Sequence, residues 1–358
     1  MPQSREGGFA WQVERGPEIC ATRLSRRSFL RLAALVSLGS TTAADTSTRR
    51  VGEMNTNQVE VVHTRVFAAG PEGGNPCPVI PFADRLTETE MQDFARKFEL
   101  DTVFILSPRS KAADIRLRYF VPDHEMGVSG HATIAAVTVA LLDKTLQSDR
   151  ARIETSSGLF EAQSLQRPGH ILVTLEQKMP IFGPIVTPDL ISSALNVGAN
   201  QIDLTKGPIQ SVSVSRAKLL VPLRDSTVLN SLTPNFETLW ELCDKFQVSG
   251  FYPFARHTDK ENADAEARQF PLRAGFPEDA ATGVAAAALG AYLVRYDLDN
   301  QTGPHEFRIA QGYAMGAPSL IAAVAECANG KITRTAIRGI AGIVGRERVA
   351  LSNSGPVM

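Results

Sequence analysis

The chain of 358 residues has only four cysteines, Cys20, Cys77, Cys243 and Cys327, and they are scattered. No two stand at zinc or redox spacing, which argues against a disulfide framework and a cysteine metal centre. Charge of one sign is also lacking. The formal net charge is −1, with no long basic or acidic run, so no nucleic-acid partner is expected. No apolar run is long enough for a stable membrane anchor. HExxH is absent, and so are low-complexity tracts and any obvious internal repeat. What remains is an ordinary globular balance, 43% apolar and 21% charged, ample for one or two cores.

The first fifty residues read differently from the rest. Ser25-Arg26-Arg27-Ser28-Phe29-Leu30-Arg31 resembles the twin-arginine export motif, and a short apolar stretch, Leu32 to Leu38, follows. Small residues ending Thr42-Ala43-Ala44 supply a cleavage site. The expectation is export to the periplasm or beyond. Met54 opens MNTNQVEVVHTRVF, so a start at Met54 would make the protein cytoplasmic.

Beyond the leader the pattern is α/β. Val59–Phe67, Val103–Leu106, Ile115–Val121, Ala151–Thr155 and His170–Leu175 read as strands. Gly70–Pro78 is dense in Gly and Pro and reads as a loop. Thr87 with Glu90 forms a capping box before Met91, Phe94 and Phe98 at helical spacing. Residues 176–208 are expected to carry the crossing into a second unit. Two segments, GHATIAAVTVALL from Gly130 and TGVAAAALGAYLV from Thr282, are apolar on nearly every face. A surface helix would keep a polar stripe, so each is expected to be buried in its own core. The expected organisation is a leader at 1–50, a first lobe at 51–185, a second lobe at 186–345 whose final strands return to the first, and a tail at 346–358. Each lobe wraps a sheet around one helix. The small residues opening both helices leave N–H groups accessible, and two such ends facing one cleft would clamp a carboxylate.

Four motifs in order carry a resemblance to the PhzF-like phenazine-biosynthesis family. They are Val66-Phe67 with Gly74-Asn75-Pro76 and Val79; Phe120-Val121-Pro122 with Glu125 and Gly130-His131-Ala132-Thr133; Arg268 and Phe270 with Glu278-Asp279-Ala280-Ala281-Thr282-Gly283; and Gln311-Gly312 with Met315-Gly316 and Pro318-Ser319. The resemblance implies a diaminopimelate epimerase-like fold of two similar lobes, a proton-shifting isomerase without a cofactor, a small carboxylate substrate and a homodimer. It places Asp101, in Asp101-Thr102-Val103-Phe104, at the family's acid/base Glu, with His131 and Asp279 assisting. Asn75, Gly130, Thr282, Gly283 and Gln311 become candidates for substrate binding. Asp279 is open to three roles: orienting a substrate amine, pairing with His131, or capping the helix before Thr282.

The departures are Asp101 for Glu, Ser129 for Cys, Ala280 for Pro, Val284 for Ser and Ala317 for Arg. Glu99 is the rival base. With Ser129 and Ala280 where a racemase needs thiols, an amino-acid racemase is the weaker enzyme alternative. A binding protein that kept the cleft and lost the chemistry is the alternative outside enzymes.

Overall fold

A computed structural model describes residues 58–351. The leader and its twin-arginine motif lie outside the described residues, as does the end of the tail.

The first half of the chain runs β1 (Gln58–Val66), β2 (Asn75–Ile80), α1 (Glu88–Phe98), β3 (Thr102–Leu106), β4 (Ile115–Phe120), β5 (Glu125–Met126), α2 (Gly130–Leu142), β6 (Arg150–Thr155), β7 (Gly158–Arg167) and β8 (His170–Gln177). The second runs β9 (Ile181–Val186), α3 (Pro188–Leu195), β10 (Ile209–Ser213), β11 (Ala217–Leu223), α4 (Ser226–Asn230), α5 (Phe236–Phe246), β12 (Gly250–Ala255), β13 (Ala265–Ala267), β14 (Phe270–Pro271), α6 (Gly283–Tyr296), β15 (Gly303–Gln311) and β16 (Ser319–Ala328). A long last strand, β17 (Lys331–Ala350), serves both.

Pairing closes the first half into a ring: β1, β2, β3, β4, β6, β7, β8, then β17 and back to β1. The parallel steps are β2–β3 and β4–β6, bridged by α1 and α2, because parallel neighbours need a crossover. The second half repeats the order through β10, β11, β12, β13, β15, β16 and β17. Its parallel steps, β11–β12 and β13–β15, are bridged by α4 with α5 and by α6. The fold is thus the diaminopimelate epimerase-like type, two similar sheet-wrapped halves. The halves differ in closure. β17 completes the first ring by pairing Ala341–Ala350 along β1, whereas β9 pairs with β10 and has no pairing to β17 among the described residues.

Each ring surrounds one helix. In α2 every residue from Gly130 to Ala140 is buried, and in α6 every residue from Gly283 to Val294. The uniform apolarity of both segments is satisfied by strands on all sides. The two threonines inside α2 turn their hydroxyls back to the helix, Thr133 onto the Ser129 carbonyl and Thr138 onto that of Ile134, so no hydroxyl is stranded in the core. The capping box is present, with Thr87 and Glu90 bonding each other's backbone N–H.

Gly70–Pro78, read above as loop, ends in strand β2. Asn75–Pro78 pair only with β1, and β3 reaches only Val79 and Ile80. One side of this stretch is therefore a sheet edge, where a proline's missing N–H costs no ladder bond. Residues 176–208 hold β9 and α3 rather than bare crossing chain.

Candidate active site

The first turns of α2 and α6 meet. A Cβ on Gly130 would lie 3.5 Å from the Gly283 Cα and 3.0 Å from Ile337 Cδ1, and one on Gly283 would fall 2.4 Å from the same methyl. Glycine is needed at both positions because Ile337, in β17, is wedged against both helix starts. The cap residues behave alike. Ser129 and Thr282 make no side-chain cap. Each spends its hydroxyl on an aspartate: Ser129 Oγ donates to Asp101 Oδ2 at 2.8 Å, and Thr282 Oγ1 donates to Asp279 Oδ2. The opening N–H groups of both helices thus keep no side-chain partner from their caps.

These ends face a small, partly enclosed cleft. Its first-half wall includes Asp101, His124, Met126, Ser129, Gly130 and His131; its second-half wall includes Arg216, Lys218, Gln269, Asp279, Thr282 and Gly283. Asp101 reaches it because α1 ends on Glu99 in the left-handed region (φ 53°), which turns the chain so that Asp101 immediately precedes β3. It is 7% exposed. His131 Nε2 lies 3.4 Å from Asp101 Oδ2, an ion-pair distance without hydrogen-bond geometry. Asp101 Oδ1 and His131 Nε2 therefore keep free valence. Burial pushes the Asp101 carboxyl up from its ordinary value, and the nearby Asp279 charge adds to this. His131, the Ser129 hydroxyl and Arg216 pull less strongly the other way.

Asp279 neither pairs with His131 nor caps α6 itself. The Asn75 amide stands between, donating to Asp279 Oδ1 at 2.6 Å and to the Ala281 carbonyl at 2.8 Å. The same nitrogen also makes a longer hydrogen bond, 3.4 Å, with His131 Nδ1. Gln311 is just as fully used. Its Nε2 donates to the Asp279 carbonyl at 2.7 Å, and its Oε1 accepts from Tyr252 Oη at 2.9 Å and from the Thr282 N–H at 3.2 Å. Asn75 and Gln311 therefore brace the residues behind the cleft wall. Two further motif residues are structural. Arg268 holds Glu278 through paired bonds of 2.9 and 2.7 Å, fixing the loop that carries Asp279. Glu99 forms the left-handed C-cap of α1 and is not in the cleft wall.

Arg216, Lys218, Ser249 and Gln269 were not singled out in the sequence, yet all line the cleft. The signal was present: Arg216-Ala-Lys218 puts two cations two residues apart, leading into the apolar run of β11. Period-two alternation turns them to one face. Lys218 is 3% exposed. Burial pulls its ammonium down to about 7, with the Arg216 charge adding and Asp279 and Cys243 opposing. Burial likewise lowers Arg216.

Two sheet-wrapped helices meeting end to end at an acid-lined cleft define the architecture shared by isomerases and epimerases of the diaminopimelate epimerase-like type. Within it, the family model described as phenazine biosynthesis-like protein matches residues 64–346, and the chain belongs to that family. It is 31% identical over 255 residues to an uncharacterised isomerase of Clostridium acetobutylicum, covering 69% of this chain and 83% of that one. It is 28% identical over 291 residues to the trans-2,3-dihydro-3-hydroxyanthranilate isomerase of Pseudomonas chlororaphis, covering 80% and 97%. The crystal structure of a PhzF-family protein of Bacillus anthracis superposes with a TM-score of 0.74 at 27% identity, over 82% of this chain and 99% of that one. The chain is an enzyme of the isomerase class.

Proposed function

We propose that the protein is a cofactor-independent isomerase that moves one proton between two carbons of a small carboxylate-bearing substrate, with Asp101 as the proton carrier. The observation that carries this reading is the Asp101 carboxyl. One oxygen is held by Ser129, the other is free, and burial raises its proton affinity at the mouth of two uncapped helices. A base works best when its pKa approaches the working pH. The substrate carboxylate sits on the N–H groups at Gly130 and Gly283. Asp101 Oδ1 takes the proton from a carbon next to an electron-withdrawing group. The C–H electron pair delocalises into the substrate, and His131 donates a hydrogen bond to the charge that develops. The carboxylic acid of Asp101, whose proton exchanges with solvent, then delivers a proton to the other end of the delocalised system. Nothing is oxidised and no group leaves.

The test is exchange. A panel of small amino and hydroxy carboxylates is incubated with the protein in D₂O and read by mass spectrometry. Asp101→Asn lowers exchange into any responsive compound by roughly 10²–10⁴-fold. Full exchange in Asp101→Asn, with loss in Glu99→Gln, assigns the base to Glu99 instead. A melting temperature that rises with ligand while no deuterium enters marks a binding protein.

Export is proposed on the leader sequence alone. Replacing Arg26 and Arg27 by Lys traps the protein in the cytoplasm, and native protein that is cytoplasmic and begins at Met54 sinks the proposal.

A further inference from the structure

The second-half wall of the cleft holds two cations, Lys218 buried and Arg216 half-buried, with no carboxylate among the described residues in ion-pair contact. Arg216 Nη1 rests 3.1 Å from Met126 Sδ, and Lys218 Nζ donates to the Ser249 carbonyl at a long 3.3 Å. Other charges near the cleft have partners: Arg268 is held by Glu278, Asp279 by Asn75 and Thr282, and Asp101, through one oxygen, by Ser129. A buried cation without a partner is unfavourable and is retained where something else supplies the opposite charge.

A second observation points to the same place. Gln269 is 1% exposed, lines the cleft, and leaves both Nε2 and Oε1 without any hydrogen-bond partner. Room for this amide is made by Gly250, which sits at φ 143°; a Cβ there would lie 2.4 Å from Gln269 Nε2. An unpaired buried amide costs stability in the empty protein, and here the backbone is shaped to keep it.

We propose that Arg216, Lys218 and Gln269 form a second anion subsite, so that the substrate is a dicarboxylate. One carboxylate is held at the helix N-termini and the other by these three side chains. The inference rests on the carboxylate clamp of the proposed function and deepens it. A planar carboxylate matches the donors available: the fork of Arg216, the ammonium of Lys218 and the amide of Gln269. Ordering the acid near Asp101 and the cations in the other half also fixes which way round the substrate enters, and so which carbon meets the base.

The test compares matched probes by calorimetry: succinate, glutarate and adipate against butanoate, pentanoate and hexanoate. In the native protein the best dicarboxylate binds at least roughly tenfold more tightly than its monocarboxylate partner, as expected for one added charge-assisted contact. Lys218→Met and Arg216→Gln each remove most of that preference while leaving monocarboxylate affinity nearly unchanged. Arg216→Lys, a milder change, retains part of it and guards against a variant that does not fold. Equal affinity for both members of every pair overturns the subsite and leaves the helix clamp standing. So does a preference that survives both charge removals. Failure of every carboxylate to bind overturns the clamp and the subsite together.

Discussion

The two halves use one backbone plan for opposite chemistry. In the first, α1 ends on Glu99 with φ 53° and the chain enters β3 through Asp101; in the second, α5 ends on Gln247 with φ 52° and enters β12 through Ser249. Asp101 and Ser249 occupy matching turns and both line the cleft. The helix starts match as well, Gly130-His131 against Gly283-Val284. The first half thus carries an acid and an imidazole where the second has a hydroxyl and a methyl-bearing side chain. In exchange, the second half brings Arg216 and Lys218. A site with equal bases on both walls suits inversion at one carbon. A site whose first-half wall carries the base and whose second-half wall sets two cations beside Asp279 suits holding an anion while a single group moves a proton.

The largest effect that tests this contrast is on exchange. Asp101→Asn lowers it as described, whereas Ser249→Ala at the matching turn keeps it within roughly threefold of the native rate, since a serine whose hydroxyl is spent on the Ala217 carbonyl carries no acid/base burden. Comparable losses in both variants would mean the two walls share the chemistry.

Next in size is stability. Lys218 folds with a pKa pulled down to about 7, below its ordinary value of 10.5. Between those values the unfolded chain binds the extra proton, so stability rises with pH across that window. The penalty is complete below about 7 and gone above about 10.5. Lys218→Met therefore raises stability in urea by a few kcal/mol, on the order of 2–4, at pH below 7. The electrostatic part of that gain fades as the pH climbs toward 10.5. A gain that is flat with pH would show that Lys218 is not the buried cation described here.

The smallest effect separates the two helix starts. Gly283→Ala places a methyl 2.4 Å from Ile337 Cδ1, against 3.0 Å for Gly130→Ala. Overpacking of this kind costs roughly 1–3 kcal/mol. Gly283→Ala falls toward the upper end and Gly130→Ala toward the lower, and Ile337→Val relieves both because they share that methyl. Denaturant midpoints of the two variants, with and without Ile337→Val, read this directly.

Much of the fold was legible because local chemistry dictates it. The sequence GHATIAAVTVALL has no polar stripe, so α2 had to be enclosed, and the Thr87–Glu90 box marked the start of α1 without ambiguity. Asp101 and His131 were legible too, through motif order, and the structure brings them within 3.4 Å of each other. For Asn75 and Gln311 the sequence left substrate contact and structural support open. Only their partners, 204 and 32 residues away, show that their amides are already spent. β2 was hidden by its prolines, whose tolerance depends on which side of the strand β3 leaves open.

What the sequence determined by itself is the set of short-range commitments: two helices that must be buried, the capping box that starts α1 and the acid placed after that helix. These follow from periodicity and neighbouring side chains, which act within a few residues. Tertiary structure alone decided the rest. The first ring closes only when Ala350 pairs with Gln58 across nearly the whole described chain. Arg216 and Lys218 become cleft residues only because α2 and α6, packed on Ile337, aim their starts at the same space. The repeat of the two halves is invisible in the residues because it is carried by strand order. Hydrogen-bonded pairing between backbones is nearly indifferent to which side chains it carries, so two halves can keep one plan while their chemistry diverges.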